Sequence, residues 1–239
     1  MAAQFVKGAL VSFMPTFVTA VPNVVVFQYN PETITHTWTS APPAANAGQY
    51  PLAVMGVPGE QFTFSLSLDS NDMIAEMASN PVAAGLATAS GIYTRLAALE
   101  MLQYPSEAFN ADLVGSVSSA LQADASTDTD SGSEQSKQVP ESDVPTVLFV
   151  WGPQRIVPVR VSALTITEKL YDSLLNPTHA DVSITLKVLT PQELLAVQGI
   201  MGTLAKVAYA YSQGLRQAQA VANLGDASAS IIGMLPNPF

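Results

Sequence analysis

The chain has 239 residues, of which 48% are hydrophobic and only 12% are charged, and its formal net charge is −10. Its 9 basic residues form no cluster, which argues against nucleic-acid binding because phosphate neutralisation needs grouped Lys and Arg. The absence of cysteine excludes disulfides, thiolate metal sites and cysteine nucleophiles. So little charge leaves too little polar surface to cover an isolated domain, and the composition therefore favours a subunit with faces buried in an assembly.

The first part of the chain is predicted to be mainly β-strand. Alternation is clearest after Gln61, where Phe and Leu occupy one face and Thr and Ser the other. Proline at positions 15 and 22 interrupts the apolar N-terminal run, so we predict neither a targeting segment nor a transmembrane helix. The predicted strands are 4–13, 24–29, Ile34–Thr39 and 61–68.

A helical insertion and an acidic loop are predicted next. We expect a short helix through Met77, closed by Pro81, and a second helix over 91–104. From Asp124 to Asp143 the chain holds six acidic residues against one lysine and almost no large apolar groups. Such a segment cannot bury enough surface to offset its ordering entropy, so we expect a mobile loop at about 122–144, with a recognition loop as the alternative.

After this loop the chain returns to β-strand, with predicted strands at 146–151, 155–168 and 180–189. The alternation slips in phase at Ser162 and Ala163, which indicates a β-bulge or bend. About seven strands with a helical insertion fit a barrel or curved sandwich better than a parallel α/β sheet. We therefore predict that residues 1–190 form one mainly β domain into which helices are inserted.

The last part of the chain, 191–239, is predicted to be a helical extension. Thr190, Pro191 and Glu193 form a capping box that starts a helix. A helix over 191–222 would be about 48 Å long at 1.5 Å per residue, and four glycines weaken or interrupt it. Its apolar stripe faces either a partner or its own barrel, and both interpretations stay open. The stripe comprises Leu194, Val197, Met201, Leu204, Ala208, Tyr211, Leu215 and Ala218.

Residues with catalytic or metal-binding potential are scarce. The two histidines, His36 and His179, lie in predicted β segments without a second ligand at metal-site spacing. Asp69 and Asp72 flank a turn and a helix start, where carboxylates cap backbone N–H groups. No phosphate-binding loop or nucleophile motif occurs. We expect no enzyme activity, no catalytic residue, no metal and no cofactor.

Three stretches, in order along the chain, resemble one known family. The first is the segment FQYNPETI, with Phe27, Tyr29, Asn30 and Pro31, and the second is a strand ending in Trp151 and Gly152. Pro177 lies in a third, partial match in which His179 stands where the family usually has Arg. Together they resemble the tube-fold family of contractile injection systems, phage tail-like machines, and in particular the baseplate adaptor that often carries a LysM domain.

The resemblance covers about 4–193 and implies a split antiparallel β-barrel whose subunits form six-membered rings. An adaptor ring joins the trimeric spike to the hexameric inner tube and initiates tube assembly. The implied partners are other copies of the chain, the spike protein, the inner tube protein and further baseplate components, without nucleic acid or membrane insertion. The implied location is a cytoplasmic assembly within a particle that stays in the cell or is released.

The chain departs from the adaptor pattern because no LysM-like segment is present, which puts glycan binding in doubt. The repeating inner-tube subunit is one alternative, although a long C-terminal helix would have to be accommodated at every layer of a tube. A free-standing ligand-binding β-barrel is a second alternative. A membrane-active protein that uses its C-terminal helix is a third.

Overall fold

The computed structural model describes residues 6–15, 20–41, 43, 53–75, 80–104, 145–197 and 199–232. Within these ranges one antiparallel sheet of 7 strands has the order β2-β1-β5-β6-β7-β4-β3. A mainly β fold with helices is thereby confirmed. The strands are β1 Ala9–Pro15, β2 Ala20–Val26, β3 Ile34–Thr39, β4 Gly59–Asp69, β5 Val147–Val150, β6 Ile156–Tyr171 and β7 Pro177–Val188.

The helices form two groups. One group follows β4, and the other follows β7 at the C-terminal end of the chain. The helices are α1 Ser70–Ala75, α2 Pro81–Ser90, α3 Tyr93–Glu100, α4 Pro191–Ala196 and α5 Gly199–Ile232. No single helix among those described is long and apolar enough to cross a bilayer, whereas α2 and α3 together meet that requirement but bend by 94° at their junction.

The pairing of β4 with β7 shows how the sheet divides its two faces. Their register sets Phe62 beside Leu186 and Phe64 beside Ile184, with all four side chains buried. The polar residues between them, such as Thr63, point to the opposite face. The alternation read in the sequence therefore separates a buried apolar face from a hydroxyl-rich outer face.

The sheet curls so that strands far apart in its order touch through their inner faces. Phe149 on β5 packs on Phe62 and Phe64 of β4, with ring centroids 5.4 and 5.5 Å apart, although β6 and β7 lie between these strands in the sheet. Phe27 adds a contact of 5.5 Å to Phe64. These rings fill the interior of the curled sheet, where close packing supplies most of the folding free energy.

The helical insertion closes part of this core. Leu96, Leu99 and Leu102 are buried at 1% exposure within the same cluster as the sheet. The predicted short helix after β4 is α1, which ends before Pro81, although Met77 lies outside the described residues. The sequence did not predict that Pro81 is itself the first residue of a further helix, α2. Asn80 caps this helix by accepting a bond from the Ala83 N–H. Proline suits this position because the first helical N–H has no partner within the helix.

Two local predictions are confirmed in the second β region. The register of β6 against β7 shifts between Val161 and Ala163, where the sequence predicted a bulge. The capping box at Thr190 is complete, with Thr190 and Glu193 exchanging both bonds. Both predictions depended only on neighbouring residues, whose geometry determines bulges and caps.

The C-terminal extension consists of two helices rather than one. The chain leaves helical geometry at Val197, which is extended. The next helix begins at Gly199, whose φ of 71° is a left-handed value that glycine adopts without strain. From there α5 continues to Ile232. The predicted acidic loop at 122–144 lies outside the described residues. So do residues 233–239 of the predicted helical extension and the start of the predicted first strand.

Candidate functional site

The edge strand β3 is exposed on both faces. Five of its six residues are exposed, and only Ile34 is half-buried. In the described parts of the chain it pairs with β4 alone, which leaves its outer edge open. Trp38 is 49% exposed despite its size. A strand with open backbone groups and an exposed aromatic side chain is a template for pairing with another chain.

The opposite edge, β2, has a partly covered rim. Val24 and Val26 on its outer face are 50% and 45% exposed, whereas Val25 faces the core. Helix α3 lies alongside, because the Asn23 amide donates to the Ala98 carbonyl and the Arg95 guanidinium donates to the Val26 carbonyl. Among the described residues β2 pairs only with β1, so it is the second open edge of the sheet.

The first family-like segment connects these two edges. Asn30 acts as a clasp, since its Oδ1 accepts from the Gly8 N–H and its Nδ2 donates to the Val6 carbonyl, both at 2.9 Å. Gln28 makes a second clasp with the backbone N–H and C=O of Asp69 at the end of β4. Asn and Gln suit these positions because each amide both donates and accepts.

The remaining residues of this segment divide into an anchor and an exposed side chain. Phe27 is 1% exposed and packs between Phe64 and Trp151. Tyr29 is 43% exposed, so its ring is available to a neighbour. The half-buried Pro31 follows Asn30 and fixes φ in the connection. The segment that joins β2 to β3 is therefore anchored to the residues before β1, to the end of β4 and to the core.

The second family-like segment packs against the first. Trp151 is half-buried, with ring centroids 6.3 Å from Phe27 and 6.2 Å from Phe149. Gly152 follows with φ of 70°, and the Trp151 N–H donates to the Arg155 carbonyl across the turn. Gly8 lies under the indole so closely that a Cβ there would approach it to 2.6 Å. Phe27 and Trp151 thus belong to one cluster.

Pro177 belongs to a different region, where the helical insertion meets β7. It is buried, and its carbonyl accepts a bond of 2.9 Å from the Ile92 N–H. His179 stands where the family has Arg. Its Nδ1 lies 3.3 Å from Oδ2 of Asp69, and its Nε2 lies 3.6 Å from Oδ1 of Asp181. This histidine therefore pairs with carboxylates of its own chain.

The β6–β7 hairpin has an exposed apolar tip. Leu170, Leu174 and Leu175 are 71%, 77% and 75% exposed. Leu170 and Leu175 have φ of 53° and 64°, a left-handed conformation that costs a leucine about 1–2 kcal/mol. Asp172 holds the turn by accepting from the backbone N–H groups of Leu174 and Asn176, and the Asn176 side-chain bond holds its pKa below the ordinary value.

The expected stripe on the C-terminal helices divides between two environments. Leu194 is buried, and Val197 packs beside it against the chain's own core. Leu204 and Tyr211 are 40% and 48% exposed. Met201 and Leu215 are half-buried. The face of α5 that is buried carries small residues instead: Gly202, Ala205, Ala208 and Ser212.

Polar residues that the sequence did not point to tie α5 to the sheet. Glu60 on β4 is 5% exposed and forms an ion pair with both terminal nitrogens of Arg216. His36 contacts the same carboxylate at 2.7 Å. The Tyr211 hydroxyl donates to the Pro153 carbonyl, and burial raises the pKa of the nearby Tyr209. The available sequence signal for this ion pair was Glu60, an acidic residue on the otherwise apolar face of β4.

The described residues hold no group of three or more His, Asp or Glu side chains arranged to bind a metal ion. Within the described residues the geometry therefore presents open strand edges, an apolar hairpin tip, and a helix fixed to its own sheet by an ion pair. No protein-family model matches the chain, and no curated protein matches its sequence.

Proposed function

We propose that this chain is a ring-forming structural subunit of a phage tail-like contractile injection system. Within such a machine we assign it to the baseplate adaptor, which links the trimeric spike to the hexameric inner tube and starts tube assembly. The resemblance of three ordered motifs suggests the family, and β3 supplies the physical argument. A strand exposed on both faces has lost the burial that usually stabilises it, so a neighbouring chain must supply that burial.

The two open edges of the sheet suggest how neighbours meet. Because β2 and β3 differ in sequence and in their coverage, the simplest contact places β2 of one copy beside β3 of the next. Such a heterologous contact repeats around an axis and closes into a ring when the rotation permits. The connection with Asn30 and Gln28 joins the two edges, and so it would influence the number of copies in the ring.

The adaptor is favoured over the repeating tube subunit by the C-terminal helices. Helix α5 runs from Gly199 to Ile232 and is fixed to its own sheet, so a tube made of identical layers would have to accommodate it at each one. The free-standing ligand-binding barrel is disfavoured by the core. Phe27, Phe62 and Phe149 fill the interior of the curled sheet, where such a barrel would enclose its ligand.

Cysteine crosslinking tests the contact, because the chain contains no cysteine of its own. In the double variant Val24→Cys/Thr37→Cys, a bismaleimide crosslinker should yield a ladder of oligomers that ends at a closed ring. Each single variant should yield none, since the proposed contact joins β2 to β3 and neither strand to itself. Dimers from a single variant would indicate a two-fold contact. If crosslinking of particles that contain the double variant gave no ladder, the ring would be refuted.

Copy number then separates the adaptor from the tube subunit. Quantitative mass spectrometry of particles from the producing cell should find about as many copies of this chain as the ring has members, far fewer than the tube protein. A copy number equal to that of the most abundant tube component would assign the chain to the tube. Particles without any of the chain would exclude both roles.

A further inference from the structure

A pocket of about 440 Å³ lies between α5 and the sheet, next to the turn that joins β5 to β6. Its size falls within the range of small-ligand sites. Apolar groups and hydrogen-bond donors both face it. The hairpin tip does not line it, and of the two strands in the proposed ring contact only β3 contributes to it, through His36. Its lining is His36, Trp151, Pro153, Gln154, Arg155, Val157, Ser212, Arg216 and Gln219.

The charged groups of the pocket leave an excess of positive charge. The lining includes Arg155 and Arg216, and of these Arg216 is paired with Glu60. Within the described residues Arg155 takes part in no ion pair, and its guanidinium lies 5.3 Å over the Phe62 ring. A half-buried arginine over an aromatic ring is an available anion partner.

Arg216 retains donors that its ion pair does not use. Two of its nitrogens bond Glu60, and a guanidinium has five N–H groups. At the mouth of the pocket Gln219 donates to Gln154 across the gap between α5 and the turn, at 3.3 Å. The site thus has donors on both the helix and the sheet.

Part of the pocket lining is apolar. Trp151, Pro153 and Val157 line it together with the two arginines. A strongly hydrated ion such as free phosphate would lose its water against these apolar groups without compensation. A carboxylate attached to an aromatic or aliphatic group suits both kinds of lining, because Arg binds carboxylates in its planar fork.

We propose that this pocket binds a carboxylate carried by an apolar group, with Arg155 as the main ionic partner and Trp151 as the apolar contact. The carboxyl end of a peptide and a free aromatic acid share this chemistry. Since the ligand would touch both α5 and the β5–β6 turn, its binding would hold the helix to the sheet. This site does not depend on ring formation, and it stands if the proposed function fails.

Intrinsic fluorescence tests the proposal directly. The chain has 2 tryptophans, so Trp38→Phe leaves Trp151 as the only indole and keeps an aromatic ring beside Arg216. N-acetylphenylalanine, a mimic of a peptide carboxyl end, should change Trp151 emission saturably. N-acetylphenylalaninamide differs from it only in lacking the carboxylate and should bind at least about tenfold more weakly. Phenylacetate is the free-acid probe, and the tighter of the two acids identifies the source.

Substitutions in the same background locate the contact. Arg155→Gln should weaken binding of the acids about tenfold or more, because it removes the charge-assisted bonds. Arg160→Gln removes the same charge from an exposed arginine of β6 and should leave binding unchanged. Equal binding of acid and amide, full binding by Arg155→Gln, or no saturable change at about 20 mM probe would each overturn the site. The comparison of acid with amide needs no substitution at Arg155.

Discussion

Arg216 on α5 grips Glu60 on β4 with both terminal nitrogens of its guanidinium, although 156 positions separate the two residues. Glu60 is 5% exposed and also contacts His36 on β3 at 2.7 Å. One carboxylate therefore connects the C-terminal helix α5, the strand β4 and the edge strand β3 beside it. Because the carboxylate is buried, its two partners are needed to offset the cost of removing it from water.

The first prediction concerns this ion pair. Arg216→Gln should lower the free energy of unfolding by about 3 kcal/mol, because it leaves Glu60 buried with His36 as its remaining described partner. Arg160→Gln is the matched control, since its ion pair with Glu193 spans 3.9 Å and is 45% exposed on the arginine side. It should cost less than about 1 kcal/mol. Urea unfolding followed by circular dichroism measures both.

A double-mutant cycle separates the ion pair from other effects. Adding Glu60→Gln to Arg216→Gln should restore part of the lost stability, because the buried charge is then gone. A coupling of about 1 kcal/mol or more would support the pairing. Strictly additive effects of the two substitutions would show that the pairing of Arg216 with Glu60 does not contribute to stability.

The parts of the fold that the sequence predicted depend on short-range patterns. Ile34–Thr39 was predicted with its observed bounds, and the alternation from Gln61 onward gave β4. Thr190 and Glu193 predicted a capping box, and the structure contains it. In each case the residues that determine the geometry are neighbours, so periodicity and turn chemistry suffice.

The parts that the sequence did not reveal depend on distant contacts or on small residues. Helix α2 is rich in Ala with one Gly, so it has no apolar stripe to distinguish it. On α5 the predicted stripe included Ala208, which is buried, but missed Ala205, which is also buried. Small side chains are buried there because they allow the helix to approach the sheet. The partner of Arg216 could not be chosen among 19 acidic residues by spacing.

The second prediction concerns Gly91, which joins α2 to α3. Its φ is 59°, and a Cβ at this position would lie 2.2 Å from the Pro177 carbonyl oxygen. Gly91→Ala should therefore cost about 2–4 kcal/mol through backbone strain and steric overlap. Gly85→Ala, within α2 and with nothing near its added methyl group, should instead stabilise by about 0.5–1 kcal/mol. Thermal unfolding of both variants measures the contrast, and equal effects would contradict the close approach to Pro177.

The third prediction concerns acid sensitivity at the start of α4. Burial acts to raise the pKa of Glu193, but bonds from the Thr190 N–H and hydroxyl and from Lys187 outweigh it, so the pKa lies below its ordinary value of 4.5. A carboxylate with a depressed pKa contributes stability above the unfolded value and loses it as the pH falls through the folded value. The contribution should therefore be complete above about pH 5 and decline below 4.5.

Glu193→Gln is the test of this acid sensitivity. The variant keeps the size of the side chain and lacks its titration, so the stability difference from the parent chain should shrink as the pH falls below 4.5. Unfolding by urea at several pH values measures this difference. A difference that stays constant down to about pH 3 would show that the carboxylate form of Glu193 contributes nothing.

The fourth prediction concerns Leu175, which is 75% exposed at a left-handed φ of 64°. The folded monomer gains nothing from a strained, exposed leucine, so Leu175→Gly should leave its stability unchanged or raise it by about 1 kcal/mol. Under the proposed function the exposed apolar tip contacts another subunit, which would account for the retained strain. The variant should therefore incorporate into particles less well than the parent chain while unfolding no earlier.

Leu195→Gly, on the exposed face of α4 at 76% exposure, is the control for removing an apolar side chain from the surface. Normal incorporation of Leu175→Gly would show that this side chain is not needed for assembly, and a loss of monomer stability would show that it contributes to the fold.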